Sequence, residues 1–92
     1  MISSFKHRGL KRYFERGEAR KVFPEHHRKV ADILTALDAA QDIEDMNLAM
    51  FHLHQLTGDR AGDWSVTVRA NWRITFTFEN GEANDVNYED YH

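Results

Sequence analysis

At 92 residues, 41% of them hydrophobic and none cysteine, the chain suits one domain with a small core. It carries neither a disulfide framework nor a thiolate metal site. The net charge of −3 hides a segregated layout: residues 1–30 hold nine Lys/Arg against three Asp/Glu, and residues 31–92 hold three against twelve.

A basic segment attracts phosphates whatever the overall charge, because screening confines fields to roughly 10 Å at physiological salt. From charge alone, a solvated helix face accounts for the same residues equally well. The opening residues lack the apolar run of a signal peptide, and no stretch approaches membrane-spanning length. A soluble cytoplasmic protein without membrane contact is expected.

Met1 to Phe5 reads as a short edge strand. Leu10, Tyr13 and Phe14 give an i, i+3, i+4 stripe, which predicts a helix from about His7 to Arg16, with Gly17 as its stop. Pro24 stands where a second helix begins, with Glu25 in its first turn. That helix runs to about Ala40 and buries Val30, Ile33, Leu34 and Leu37. Asp42 to Met46 adds a short helical turn. Met50 to Leu56 reads as a strand, with Phe51 and Leu53 inward and His52 and His54 together on the other face.

The last third alternates with a period of two, the pattern of half-buried strands. Trp64, Val66 and Val68 face one way, and Ser65, Thr67 and Arg69 the other. Trp72, Ile74, Phe76 and Phe78 share one face, with Arg73, Thr75 and Thr77 opposite. The preferred register sets Val68 against Ile74 and Arg69 against Arg73. Like charges side by side cost stability, a cost that an anion between them would relieve.

Asn80-Gly81 is a strong hairpin signal. A plain two-residue loop would set Phe76 against Asp85, so a loop with one extra residue is preferred. It sets Phe76 against Val86, Ile74 against Tyr88 and Arg73 against Glu89. The expected fold is α+β: two N-terminal helices packed on one face of a mostly antiparallel β-sheet, in the order β-α-α-β-β-β-β, as a single domain over residues 1–92. The other sheet face carries Arg69, Arg73 and Asp90-Tyr91-His92.

Of the six histidines, His7, His26 and His27 are expected to lie exposed and to do no chemistry. His52, His54 and His92 are compatible with a three-histidine metal site, but that spacing is a weak signal, and no metal is expected. The alternative is proton chemistry. Histidine titrates near neutrality and serves as general acid or base. Cleaving RNA needs a base for the 2′-hydroxyl, a cation for the phosphorane and an acid for the leaving 5′-oxygen. His54, Arg73, Asp90 and His92 supply these parts from one face, and Tyr91 offers a stacking platform. From these residues alone, a frayed tail is the preferred explanation of Asp90-Tyr91-His92.

Four stretches carry a resemblance. They are Ile2-Ser3-Ser4-Phe5-Lys6-His7-Arg8-Gly9-Leu10, Leu53-His54-Gln55-Leu56-Thr57-Gly58-Asp59-Arg60, and Trp64 to Phe76 together with Asn87-Tyr88-Glu89-Asp90-Tyr91-His92. The chain resembles toxins of the RelE/ParE superfamily, in the HigB (host inhibition of growth, or plasmid maintenance killer) branch of type II toxin-antitoxin systems. The resemblance covers nearly the whole chain and implies a RelE-like microbial ribonuclease fold.

It implies a metal-independent endoribonuclease that enters the ribosomal A site, cuts mRNA there and inhibits translation and growth. It also implies a HigA-type helix-turn-helix antitoxin, with operator DNA reached only through that antitoxin. The family's active-site positions fall on His54, Arg73, Asp90, Tyr91 and His92. Contacts to RNA and the ribosome would come from Lys6, Arg8, Lys11, Arg12, Arg16, Arg20 and Lys21, with Thr57, Arg60 and Arg69.

One position departs from the family pattern, which has a lysine where this chain has Thr57. A threonine donates one hydrogen bond but brings no charge to a phosphate. Arg60 or Arg69 is a candidate to compensate. Two other readings follow from the resemblance. One is a non-enzymatic ParE-like toxin that binds gyrase, for which His54 and the terminal Asp-Tyr-His have no evident use. The other is a weakened toxin that serves mainly as co-repressor.

Overall fold

Alternating apolar residues in the last third build the sheet that everything else covers. In the computed structural model, which describes residues 1–91, four strands follow one another: β1 (His54–Gln55), β2 (Trp64–Arg69), β3 (Trp72–Glu79) and β4 (Glu82–Asp90). They form one antiparallel sheet in chain order. Two helices, α1 (Arg8–Arg16) and α2 (His27–Ala39), precede it. The N-terminal segment runs parallel beside β4 through isolated bridges at Ile2–Ala83 and Phe5–Val86.

Helix α1 starts and stops where local chemistry directs. His7 caps it, Nδ1 accepting the Leu10 N–H at 2.9 Å. Gly17 ends it with φ 74°, a conformation that costs glycine little. Gly9 is needed for a different reason. A Cβ there would lie 2.2 Å from Lys21 Cβ, so the loop before α2 packs against bare backbone. Pro24 opens a 3-10 turn, Pro24–His26, that leads into α2.

The core lies between the helices and one sheet face. Val30, Ile33, Leu34 and Leu37 of α2 are buried against Val66, Ile74, Phe76 and Val86 of the sheet. His26 joins them, at 5% exposure, in contrast to the solvated position expected for it. Its Nδ1 lies 2.6 Å from the Tyr88 hydroxyl, and its ring meets Trp72 and Phe23. His26 precedes Val30 by four residues, one helical turn, which places it on the buried stripe.

Three local expectations change. Met50 to Leu56 is not a strand: a 3-10 turn covers Ala49–Phe51, His52 has φ 48°, and only His54–Gln55 pairs. His52 and His54 therefore do not share a strand face. The β2–β3 register is displaced by two residues, to Val66–Ile74 and Thr67–Arg73, with a bulge between Thr67 and Arg69. Arg69 pairs with Trp72 and not with Arg73, because the tight turn at Ala70-Asn71, with Ala70 at φ 50°, leaves no room for the longer loop.

The third change concerns the last hairpin. Its loop has two residues, with Asn80 and Gly81 both at positive φ and Glu79 facing Glu82. The extra residue sits instead inside β4, where Asp85 at φ 53° forms a bulge. Ser4 Oγ accepts the Asp85 N–H at 2.9 Å. The bulge restores the Ile74–Tyr88 and Arg73–Glu89 pairings expected from the apolar pattern.

Candidate functional site

Partners across an antiparallel ladder point to the same face, so the register defines rows of side chains. One row crosses all four strands: His54, Ser65, Thr75 and Asn87. The next holds Thr67, Arg73 and Glu89. Both rows lie on the face turned away from the helices, as alternation predicted. His54 is exposed at the edge, whereas Ser65 and Thr75 are each 2% exposed.

Part of this face is organised by Arg60. It closes the 3-10 turn Gly58–Arg60, which follows β1. Its Nη1 donates to Glu89 Oε1 at 2.7 Å and its Nη2 to Glu89 Oε2 at 2.9 Å, a bidentate pair. Thr75 Oγ1 and Asn87 Nδ2 donate to Oε2 of the same carboxylate at 2.6 and 3.1 Å. Hydrogen bonds from Arg60, and then from Thr75 and Asn87, hold the Glu89 pKa down at about 2, against the opposing effect of burial. The Glu89 carboxylate in turn raises the Arg60 pKa.

Arg73 is placed differently. Its backbone pairs with Glu89, but its Nη1 donates to the carbonyls of Ala70 at 2.5 Å and Trp72 at 3.4 Å. Among the described residues, no carboxylate pairs with it. Tyr91 follows the end of β4. Its backbone N–H donates to the Asn71 carbonyl at 2.8 Å, and the Arg60 guanidinium lies 5.6 Å from its ring centroid.

Two expected members depart from the shared face or cannot be placed. Asp90 pairs with Trp72 and alternates with Glu89, so it projects from the opposite side of β4. His92 lies outside the described residues. Thr57 precedes the Gly58–Arg60 turn and is exposed. Arg60, expected among the RNA contacts, has its guanidinium paired with Glu89 and Asp63. Arg69 does not join Arg73 in a row as expected: past the bulge it pairs with Trp72 and lines a recess with Phe23, His26 and Trp72.

The basic residues divide into groups. Arg8, Lys11, Arg12 and Arg16, with Glu15 among them, line one groove along α1. Their i, i+3, i+4 spacing explains the shared face. Arg20 and Lys21 sit in the exposed turn that follows. Lys6 instead lines a small cavity beside Arg60 and Asn87 on the polar sheet face. No group of three or more His, Asp or Glu residues able to hold a metal ion occurs among the described residues. No helix among them is long and apolar enough to cross a membrane.

Sequence reasoning missed the carboxylate network. Arg73–Glu89 and Thr75–Asn87 follow from alternation, but Arg60 reaches Glu89 across 29 residues of sequence and has no local signature.

Two helices thus cover one face of an antiparallel sheet whose outer face is polar. The same fold occurs in the solved YoeB dimer from Staphylococcus aureus, with a TM-score of 0.63, 13% identity, and coverage of 99% of this chain and 94% of that one. A family model for the RelE-like toxin of the type II toxin-antitoxin system HigB matches residues 3–92. The chain is 53% identical over 92 residues to Endoribonuclease HigB of Proteus vulgaris, covering 100% of both. It belongs to the HigB-like toxin family, and a type II toxin has an antitoxin as its partner.

Proposed function

We propose that this chain is an endoribonuclease that cuts mRNA in the ribosomal A site and so arrests translation and growth. The full-length relative named an endoribonuclease supports the activity. The observation that carries the site is Arg73, a cation without a carboxylate partner among the described residues, on the same sheet face as exposed His54. Glu89, the acid nearest to Arg73 in register, is neutralised by Arg60. A phosphate approaching Arg73 therefore meets little opposing charge from its cross-strand partner.

In this reading the 2′-oxygen attacks phosphorus as its proton passes to His92, with Asp90 assisting that transfer. Arg73 leaves the two turn carbonyls and binds the phosphate oxygens, where charge accumulates in the transition state. The P–O5′ bond breaks, and His54 positions the phosphate or gives a proton to the departing oxygen. Tyr91 stacks on a base. The α1 groove with Arg20 and Lys21 binds ribosomal RNA backbone, and Lys6, Thr57 and Arg69 add contacts nearer the message. A HigA-type helix-turn-helix antitoxin neutralises the toxin, and the pair represses its own operon.

The chemistry is read from the ends of the fragments. Programmed ribosomes carrying labelled mRNA should yield an upstream 2′,3′-cyclic phosphate and a downstream 5′-hydroxyl. Downstream fragments that begin with a 5′-phosphate would refute attack by the 2′-oxygen.

A further inference from the structure

We infer that Arg60 is a positioning residue that fixes the Tyr91 ring for the proposed cleavage, with Glu89 as its anchor; the inference rests on the endoribonuclease reading. Tyr91 lies one residue past the last strand residue, where side chains are ordinarily poorly held. Here it is held at two points. The Asn71 carbonyl takes its backbone N–H at 2.8 Å, and the Arg60 guanidinium lies 5.6 Å from its ring centroid, within cation–π range.

Arg60 can serve as a fixed platform because its own position is over-determined. Its carrier turn is tied by Asp63 N–H to the Arg60 carbonyl at 3.0 Å and by Leu56 N–H to the Asp63 carbonyl at 2.8 Å. Its fork takes both oxygens of Glu89, Nε adds Asp63 at 3.4 Å, and Nη2 approaches Thr75 Oγ1 at 3.4 Å. Glu89 is locked in turn by Thr75 and Asn87. A planar guanidinium held edge-on by a carboxylate keeps its face open to a ring, a geometry that a lysine does not reproduce.

The test is a double-mutant cycle in cleavage of mRNA on programmed ribosomes. Arg60→Met keeps much of the stem and removes the fork. It should lower kcat about 10- to 100-fold, the scale of a misplaced reacting group, with a smaller change in KM. In a Tyr91→Ala background the same substitution should cost clearly less than in the wild-type chain, because the part of its effect that passes through the ring is already lost and only the uncovered Glu89 charge beside Arg73 remains. Arg60→Lys should rescue only in part. Losses that multiply in the double variant, or an Arg60→Met protein as active as wild type, would overturn the inference. A wild-type protein that cuts no RNA would instead refute the nuclease reading, and the inference with it.

A second arm does not depend on the folding of Arg60 variants. The Arg60 Nε–H resonance should move when Tyr91→Ala removes the ring current. An unmoved resonance would overturn the contact.

Discussion

Arg73 and Glu89 face each other across β3 and β4, yet they form no ion pair; Glu89 gives both carboxylate oxygens to Arg60. Arg73 is left resting on backbone carbonyls, which release it at smaller cost than a carboxylate would. Arg73→Ala should keep the fold and lose about 100-fold or more in kcat, on the scale of removing a donor that meets transition-state charge. Arg73→Lys should recover a minor part, because a point charge lacks the fork. Single-turnover cleavage with a parallel thermal melt checks both.

Glu89 makes a second prediction. Its pKa in the folded chain is about 2, against an ordinary 4.5, so its contribution to stability is complete above about 4.5 and is lost as pH falls toward 2. The site is partly solvated, and after screening the contribution is about 1–2 kcal/mol. Glu89→Gln should be less stable than wild type at pH 6, and the difference should shrink as pH falls from 5 to 2. Urea denaturation across that range measures it.

His7 should give a separate pH response. Burial, aided by the nearby Lys21 charge, lowers its pKa below the ordinary 6.5, although a hydrogen bond to its own backbone opposes this. The neutral ring is the form that accepts the Leu10 N–H. Stability linked to His7 is therefore present above pH 6.5 and declines as pH falls below it. His7→Asn keeps an acceptor at the cap and removes the titration. The variant should melt at a temperature that varies less between pH 7.5 and 5.5 than that of wild type. Equal slopes would refute the assignment.

Gly9 is fixed by the close approach of Lys21. Gly9→Ala would favour the helix locally, by up to about 1 kcal/mol, but its methyl group would overlap Lys21 Cβ. The overlap should win, with a net loss of about 1–3 kcal/mol. A rise in melting temperature would show that the 20–22 loop yields freely.

The α1 groove gathers Arg8, Lys11, Arg12 and Arg16 outside the sheet. Lys11→Glu with Arg12→Glu should weaken binding to ribosomes and flatten its dependence on salt, because fewer counterions are released. Cosedimentation at two or more salt concentrations measures both effects. An unchanged salt slope would make this a solvated face.

The strand pattern made the two sheet faces legible from sequence, because Val66, Ile74, Phe76, Val86 and Tyr88 must all turn inward. It did not reveal how the strands absorb odd spacings. The bulge at Asp85 depends on Ser4, 81 residues away, and the bulge near Val68 depends on a turn with Ala70 at positive φ. Neither has a local signature. His26 was recoverable, because it stands four residues before Val30, whereas its hydrogen bond to Tyr88 spans 62 residues. Alternation placed His54 and Arg73 on one face, but the same rule moves Asp90 to the other side of β4. Arg60 looked like a free cation because its partner is distant in sequence.

Primer-extension mapping of an mRNA with the purified protein, with and without programmed ribosomes, tests the central claim most directly. The account predicts cuts within the A-site codon that require ribosomes and disappear in Arg73→Ala and His92→Ala. Cuts on free RNA would contradict ribosome dependence, and no cuts in either sample would contradict the nuclease itself.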